Sequence, residues 1–315
     1  MFHSSLPAFP RRFRRGLLAV ALSGSLLLGA GAAHAAGGVG DLFVTSDASD
    51  LTRAYTGATG SYLGIFSSAV LGSGSLAIHF GASNGRVLIG YFGGGVDEFD
   101  ATTGAYIKTY APAGGWQWAG LYAPNGDVLI GSQLTNDIRR YDPSTGAYLS
   151  TLTSFPGPAD MEIGPNGNLY ACSYTDSMVA EIDPVSGATL SSFTQNFGDR
   201  TNDIAFLPGG NILVTVMGGN VCHVYDPAYT LLTSFAGTGW TRPHGVAISP
   251  HSGRILIADG VTTQVHEFDP VTFVETNPAF LSPGPGDKIV DVAFRPDAPT
   301  PAKSSTWGRI KNQYR

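Results

Sequence analysis

From about residue 40 onward the apolar residues fall into short runs, each cut off by a turn, and never into a long amphipathic stripe. Typical runs are Val87-Leu88-Ile89, Val128-Leu129-Ile130, Ile212-Leu213-Val214 and Ile255-Leu256-Ile257. Each follows a turn such as Pro124-Asn125-Gly126, Pro165-Asn166-Gly167, Pro208-Gly209-Gly210 or Pro250-His251-Ser252-Gly253, with Ala82-Ser83-Asn84-Gly85 as a looser form. Asn-Gly and Gly-Gly supply the positive φ that tight hairpins need. Before each turn lies another apolar run, for example Asp203-Ile204-Ala205-Phe206 or Gly245-Val246-Ala247-Ile248. Runs of this length bounded by Gly and Pro predict strands buried on both faces. A third, more polar strand follows, as in Asp137-Ile138-Arg139-Arg140-Tyr141. Thr103-Gly104, Thr145-Gly146 and Ser186-Gly187 then turn the chain into a fourth.

The third strand ends on a recurring Asp: Asp100, Asp142, Asp183, Asp226 and Asp269, spaced by 42, 41, 43 and 43 residues. Pro follows four of them and stops the ladder. Tyr55-Thr56 holds the same place one repeat earlier. Four antiparallel strands in about 43 residues is the unit of a β-propeller blade. The final apolar segment, residues 289–295, reads as a first strand with nothing after it. The segment Asp41-Leu42-Phe43-Val44 reads as a second strand with no first. The sequence therefore predicts an all-β, six-bladed propeller over residues 36–297, its ring closed where the C-terminal strand joins the N-terminal blade. The other five blades fall at about 75–111, 118–154, 159–195, 202–236 and 244–281. A solenoid is the alternative, but it needs capping ends, and these ends complement each other.

Composition agrees: Gly is 42 of 315 residues, about twice average usage, and charged residues are only 13%. Residues 1–35 read as a signal peptide, with Arg11, Arg12, Arg14 and Arg15, an apolar stretch and Ala33-His34-Ala35 as the cleavage pattern. A membrane anchor is the competing reading of that segment; Arg14-Arg15 also loosely fits a twin-arginine signal. The expectation is an exported protein in the periplasm, on the cell surface or secreted. Cleavage takes the net charge from -6 to -10, which disfavours nucleic acid as a partner. No later window is apolar enough for a membrane helix. Cys172 and Cys222 sit at different places in the repeat and read as separate buried thiols. Residues 298–315 form a linker and a basic tail around Trp307, either a docking peptide or a loose end.

Arg242-Pro243-His244-Gly245-Val246-Ala247-Ile248-Ser249-Pro250, followed by Ile255-Leu256-Ile257-Ala258-Asp259, resembles an NHL-type repeat. Asp160-Met161-Glu162-Ile163-Gly164-Pro165-Asn166-Gly167-Asn168-Leu169-Tyr170 is similar to the propellers of the YVTN and streptogramin-lyase groups. Such a resemblance implies the propeller and leaves the activity open, since protein-binding modules, lactonases and lyases all use it. Gluconolactonase-type (SMP-30-like) relatives hold a divalent metal through Glu, Asn and Asp. Only Asn202 matches that register; Leu76, Trp118, Ala159 and Val290 depart from it.

Two sets of candidate site residues emerge. Loops entering the first strands carry Trp116, Trp118, Arg200, Trp240, Arg242 and His244, which suggests a face that binds a protein, a glycan or a small molecule. The competing role for the rings is to cap the packing between blades. One step into the first strands the register reads Ala77, Ala119, Asp160, Asp203, Gly245, Asp291. Around a central axis these positions converge. Asp160, Asn202, Asp203, His244 and Asp291 form the second set, a candidate site for Ca²⁺ or, less well, Zn²⁺ in a hydrolase or lyase. Alternatively the Asp residues accept hydrogen bonds from nearby amides and serve only structure. No complete catalytic set is legible, so a binding module, expected as a monomer, is the leading reading.

Overall fold

The computed structural model describes residues 37–70, 73–111, 117–194, 200–281 and 287–296. The expected signal peptide, Trp116 and the C-terminal tail lie outside the described residues. The described chain forms 24 strands. They begin with β1 (Leu42–Ser46), β2 (Leu51–Tyr55) and β3 (Tyr62–Ser68). Next come β4 (Ser73–Phe80), β5 (Arg86–Phe92), β6 (Val96–Asp100) and β7 (Tyr106–Tyr110). The third repeat supplies β8 (Gln117–Tyr122), β9 (Val128–Ser132), β10 (Asp137–Tyr141) and β11 (Tyr148–Ser154). The fourth supplies β12 (Pro158–Ile163), β13 (Leu169–Ser173), β14 (Met178–Ile182) and β15 (Thr189–Thr194). The fifth supplies β16 (Thr201–Phe206), β17 (Ile212–Val216), β18 (Val221–Tyr225) and β19 (Leu231–Phe235). The chain continues with β20 (Pro243–Ile248), β21 (Ile255–Asp259), β22 (Gln264–Phe268), β23 (Glu275–Leu281) and β24 (Ile289–Phe294).

The strands make a propeller-like ring of antiparallel sheets, but not the six separate blades expected from the repeat. Four sheets have four strands each: β24-β1-β2-β3, β12 to β15, β16 to β19 and β20 to β23. Strands β4 to β11 instead form one eight-stranded sheet. Its two halves join where β5 pairs with β8 at Tyr91↔Gln117. The cause is local. Gly90 lies beside this junction, and a Cβ there would overlap the carbonyl oxygens of Gln117 and Trp118. Without a side chain, β5 lets the start of β8 approach closely enough to hydrogen-bond. The expectation of a closed six-bladed propeller is therefore corrected to four blades plus one eight-stranded sheet. β24 pairs antiparallel with β1, Leu42 opposite Phe294. The first strands β4, β8, β12, β16, β20 and β24 each contact the next around the centre.

Burial explains the sequence pattern. The second strands β1, β9, β13, β17 and β21 are buried at every position. The fourth strands are largely exposed, with Tyr62, Tyr148, Leu190 and Leu232 more than half accessible. The recurring Asp is a turn residue. Asp142 Oδ1 accepts from the amides of Ser144 and Thr145, both at 2.8 Å, and Asp100, Asp183 and Asp269 repeat the arrangement. These bonds hold the Asp100, Asp142, Asp183 and Asp269 carboxyls below their ordinary range, Asp142 at about 2. Cys172 and Cys222 are free and buried.

Each first strand enters the ring through a β-bulge. The ladder register shifts between Pro158 and Met161, between Thr201 and Ile204, and between Pro243 and Val246. A bulge leaves backbone groups out of the ladder, and other partners must take them. The Asp203 amide donates to Thr215 Oγ1 at 3.0 Å, and the Asp291 amide donates to Thr45 Oγ1 at 3.0 Å. The bulges set the entry register that turns Asp160, Asp203 and Asp291 towards one another.

Candidate site in the central channel

Asp203 and Asp291 cross-link neighbouring sheets. Asp203 Oδ1 accepts from the Ile204 amide at 2.5 Å, and its Oδ2 accepts from the Val246 amide of the next sheet at 2.6 Å. Asp291 does the same with the amides of Val292 at 2.7 Å and Ile78 at 2.8 Å. Asp160 departs from this pattern, because the Ile204 amide is already given to Asp203. Asp160 hydrogen-bonds instead to the Asp203 carboxyl, which also bonds Asp291. Three carboxyl groups thus meet with few protons to share. Burial and the neighbouring Asp203 charge push Asp160 and Asp291 well above the carboxylate range. Burial also raises Asp203, to about 6, opposed by the hydrogen bonds from Asp160, Val246 and Ile204.

Glu162 stands two residues beyond Asp160 on β12, and His79 two residues beyond Ala77 on β4. His79 Nδ1 lies 3.8 Å from Glu162 Oε2, and the side chains are 24% and 37% accessible. That accessibility is to the channel. Burial pushes Glu162 up to about 7 and lowers His79 to about 4. At neutral pH His79 is neutral and Glu162 is poised between its two forms.

The carboxyl cluster divides the channel. On one side, Leu76, Ala77, Trp118, Ala159, Asn202 and Val290 leave only about 20 Å³, room for one water-sized group. On the other, a cavity of about 1020 Å³ opens past His79 and Glu162 towards the turns between first and second strands. Side-chain size explains the difference. Ala205, Ala247 and Ala293 line the wide side, whereas Leu76, Trp118 and Val290 fill the narrow one. Phe80, Ile163, Phe206, Ile248 and Phe294 form apolar walls of the wide cavity.

The loop residues predicted to bind are dispersed. Trp240 is 6% exposed, donates Nε1 to the Asn220 carbonyl at 2.9 Å and packs on Phe268. It belongs to the core between sheets, so its expected role in an open binding face is corrected. Trp118 is half-buried and meets Tyr174 edge-on at 4.7 Å between ring centroids. Arg200 lies over the same Tyr174 ring, 4.7 Å from its centroid, and donates to its hydroxyl at 3.0 Å. Arg242 has an exposed side chain, and its amide donates to Asp259 Oδ1 at 3.0 Å. His244 lies against the backbone of Gly260 and lines neither side of the channel. Burial, then the Arg242 charge, lowers it to about 4.

The expected metal set fits poorly. Asp160, Asn202, Asp203 and Asp291 come together, but His244 does not. Every carboxylate oxygen of Asp203 and Asp291 already accepts a backbone amide. Among the described residues, no group of three or more His, Cys, Asp or Glu side chains is arranged to hold a metal ion. Sequence reasoning singled out neither Glu162 nor His79 as a site residue. Their spacing of two from Asp160 and Ala77 was the available signal.

No helix among the described residues is long and apolar enough to cross a membrane. No protein-family model matches the chain, and no curated protein does. The chain is similar to the crystal structure of a protein of unknown function from Bacteroides caccae. The TM-score is 0.63 at 17% identity, covering 80% of this chain and 97% of that one. At that identity the likeness shows the fold alone: an all-β, propeller-like ring of small antiparallel sheets.

Proposed function

We propose that the protein is an exported binding module that takes a small ligand in the wide cavity at the centre of the ring. The observation that carries this reading is the cavity of about 1020 Å³, with apolar walls and a polar floor of His79, Glu162 and the three Asp residues. Its size and its few convergent polar groups match small-molecule sites in general. The wide cavity replaces the Trp-bearing loop face as the recognition site in this reading. The test uses three probes of equal length: n-hexanol, n-hexanoate and n-hexylammonium. At least one should bind by calorimetry, and Ala247→Trp, which puts an indole ring into the cavity, should weaken that binding. Retained binding in that variant, with its fold intact by circular dichroism, would move the site elsewhere.

A further inference from the structure

We propose that Glu162 and His79 act in this cavity as a base and a hydrogen-bond donor that together move a proton from the carbon next to a carbonyl group, so that the ligand is a small apolar aldehyde or ketone. The inference rests on the cavity being the ligand site, as proposed above, and adds a reaction.

Three observations point to this pair. First, the cavity lies where the pair faces. The equivalent first-strand positions read His79, Leu121, Glu162, Ala205, Ala247 and Ala293. Leu121 is fully buried. The three Ala follow one another around the ring on β16, β20 and β24 and leave open the space lined by His79 on β4 and Glu162 on β12. Second, the pair is set apart rather than bonded to itself. Glu162 Oε1 accepts the Ile163 amide at 3.2 Å, which fixes the carboxyl and leaves Oε2 over. Oε2 lies 3.8 Å from His79 Nδ1, too far for a hydrogen bond. A carbonyl oxygen and its neighbouring carbon are close enough together for one to meet His79 while the other meets Glu162. Third, the other titratable groups facing the cavity are committed. They are Tyr122 from β8, Asp160 from β12, Asp203 from β16 and Asp291 from β24; β20 contributes only Val246, Ala247 and Ile248. The Tyr122 hydroxyl donates to Glu98 Oε1 at 2.7 Å. Asp203 and Asp291 accept backbone amides, and Asp160 bonds to Asp203.

The chemistry follows from those groups. Glu162 Oε2 takes the proton from the carbon next to the carbonyl. The electron pair of the broken C–H bond becomes the C=C bond of an enolate, and the carbonyl π pair moves onto oxygen. A His79 N–H donates to that oxygen and stabilises the charge formed there. Return of the proton from Glu162 to carbon restores the carbonyl, so nothing is oxidised or reduced and no co-reactant is consumed. Burial sets both groups for this role, raising Glu162 to about 7 and keeping His79 neutral above about 4. Phe206, Ile248 and Phe294 line the walls, where an alkyl tail is buried.

Proton NMR of the full chain with 2-hexanone in D₂O tests this, read as loss of the C–H signals beside the carbonyl. The expected exchange is about a hundredfold faster than in the buffer blank. It should rise with pH and level off above about 7, as the Glu162 carboxylate forms. Glu162→Gln should return it to the blank, and His79→Leu should slow it about tenfold. His79→Gln, which keeps an N–H donor, should recover part of that loss. Circular dichroism checks the fold of each variant. If 2-hexanone binds by calorimetry, is weakened by Ala247→Trp and yet exchanges no faster than in the blank, the cavity remains the site and the reaction falls. Exchange unchanged in Glu162→Gln would overturn the assignment of the base. Exchange unchanged in Ala247→Trp would place it outside the cavity and overturn both readings. Neither binding nor exchange of 2-hexanone would overturn the carbonyl class, while the three hexyl probes still judge the cavity.

Discussion

Replacing Glu162 by Gln should stabilise the protein, and only at higher pH. In the folded chain burial raises this carboxyl from the ordinary 4.5 to about 7. A raised carboxyl binds its proton more tightly folded than unfolded, so stability falls as pH rises from 4.5 through about 7 and then levels off. The full linkage over that interval is roughly 3 kcal/mol at 1.36 kcal/mol per pH unit. The side chain is 37% accessible through the channel, so solvent screens part of this. About 1–2 kcal/mol is the expected penalty at pH 8. Gln removes the ionisation while its Oε1 can still accept the Ile163 amide, which Glu162 Oε1 holds at 3.2 Å. Urea unfolding of both proteins at pH 4.5, 6, 7 and 8 reads the difference directly. The expected curves coincide at pH 4.5, and Glu162→Gln gains about 1–2 kcal/mol at pH 8. A difference that stays constant with pH would refute the reasoning, because a packing effect does not titrate.

Three further outcomes follow from the fold. Gly90→Val should drive a side chain into the Gln117 and Trp118 carbonyls and lower stability by about 1–3 kcal/mol in thermal unfolding; an unchanged Tm would show that the β5–β8 junction is not tightly packed. Thr263 adopts φ 63° directly before β22, a left-handed conformation unfavourable to a β-branched residue. Thr263→Asn should raise stability by about 0.5–1 kcal/mol, and a lower Tm would contradict the strain. Asp142→Ala should destabilise at neutral pH, because two amides lose their acceptor. Since the folded carboxyl is depressed to about 2, that loss should shrink as the pH falls from about 4 towards 2; a loss independent of pH would exclude the carboxylate as its source.

The strand positions and the turn-forming Asp were legible because each repeat must solve the same local problem. Pro stops the third strand, and the preceding Asp binds the amides that the turn exposes. The convergence of Asp160, Asp203 and Asp291 was legible for the same reason, since equivalent positions in a ring face one centre. The number of sheets was not. It turns on one backbone pairing at Tyr91↔Gln117, allowed by the missing side chain of Gly90, and glycine is common in this chain. The wide side of the channel was also hidden. It depends on the small side chains of Ala205, Ala247 and Ala293 facing inward together, a comparison across repeats rather than within one. Trp240 was misassigned because a loop position does not reveal whether a ring lies over the sheets or inserts between them. Here its Nε1 finds the Asn220 carbonyl and the ring is buried.

Diffraction from crystals of the full chain soaked in turn with n-hexanol, n-hexanoate and n-hexylammonium tests the account most directly. The prediction, for at least one probe, is density for the alkyl chain against Phe206 and Ile248. Density only beside Trp118 and Arg200 at the opposite mouth, or only on the outer strands, would contradict the central cavity as the site of recognition.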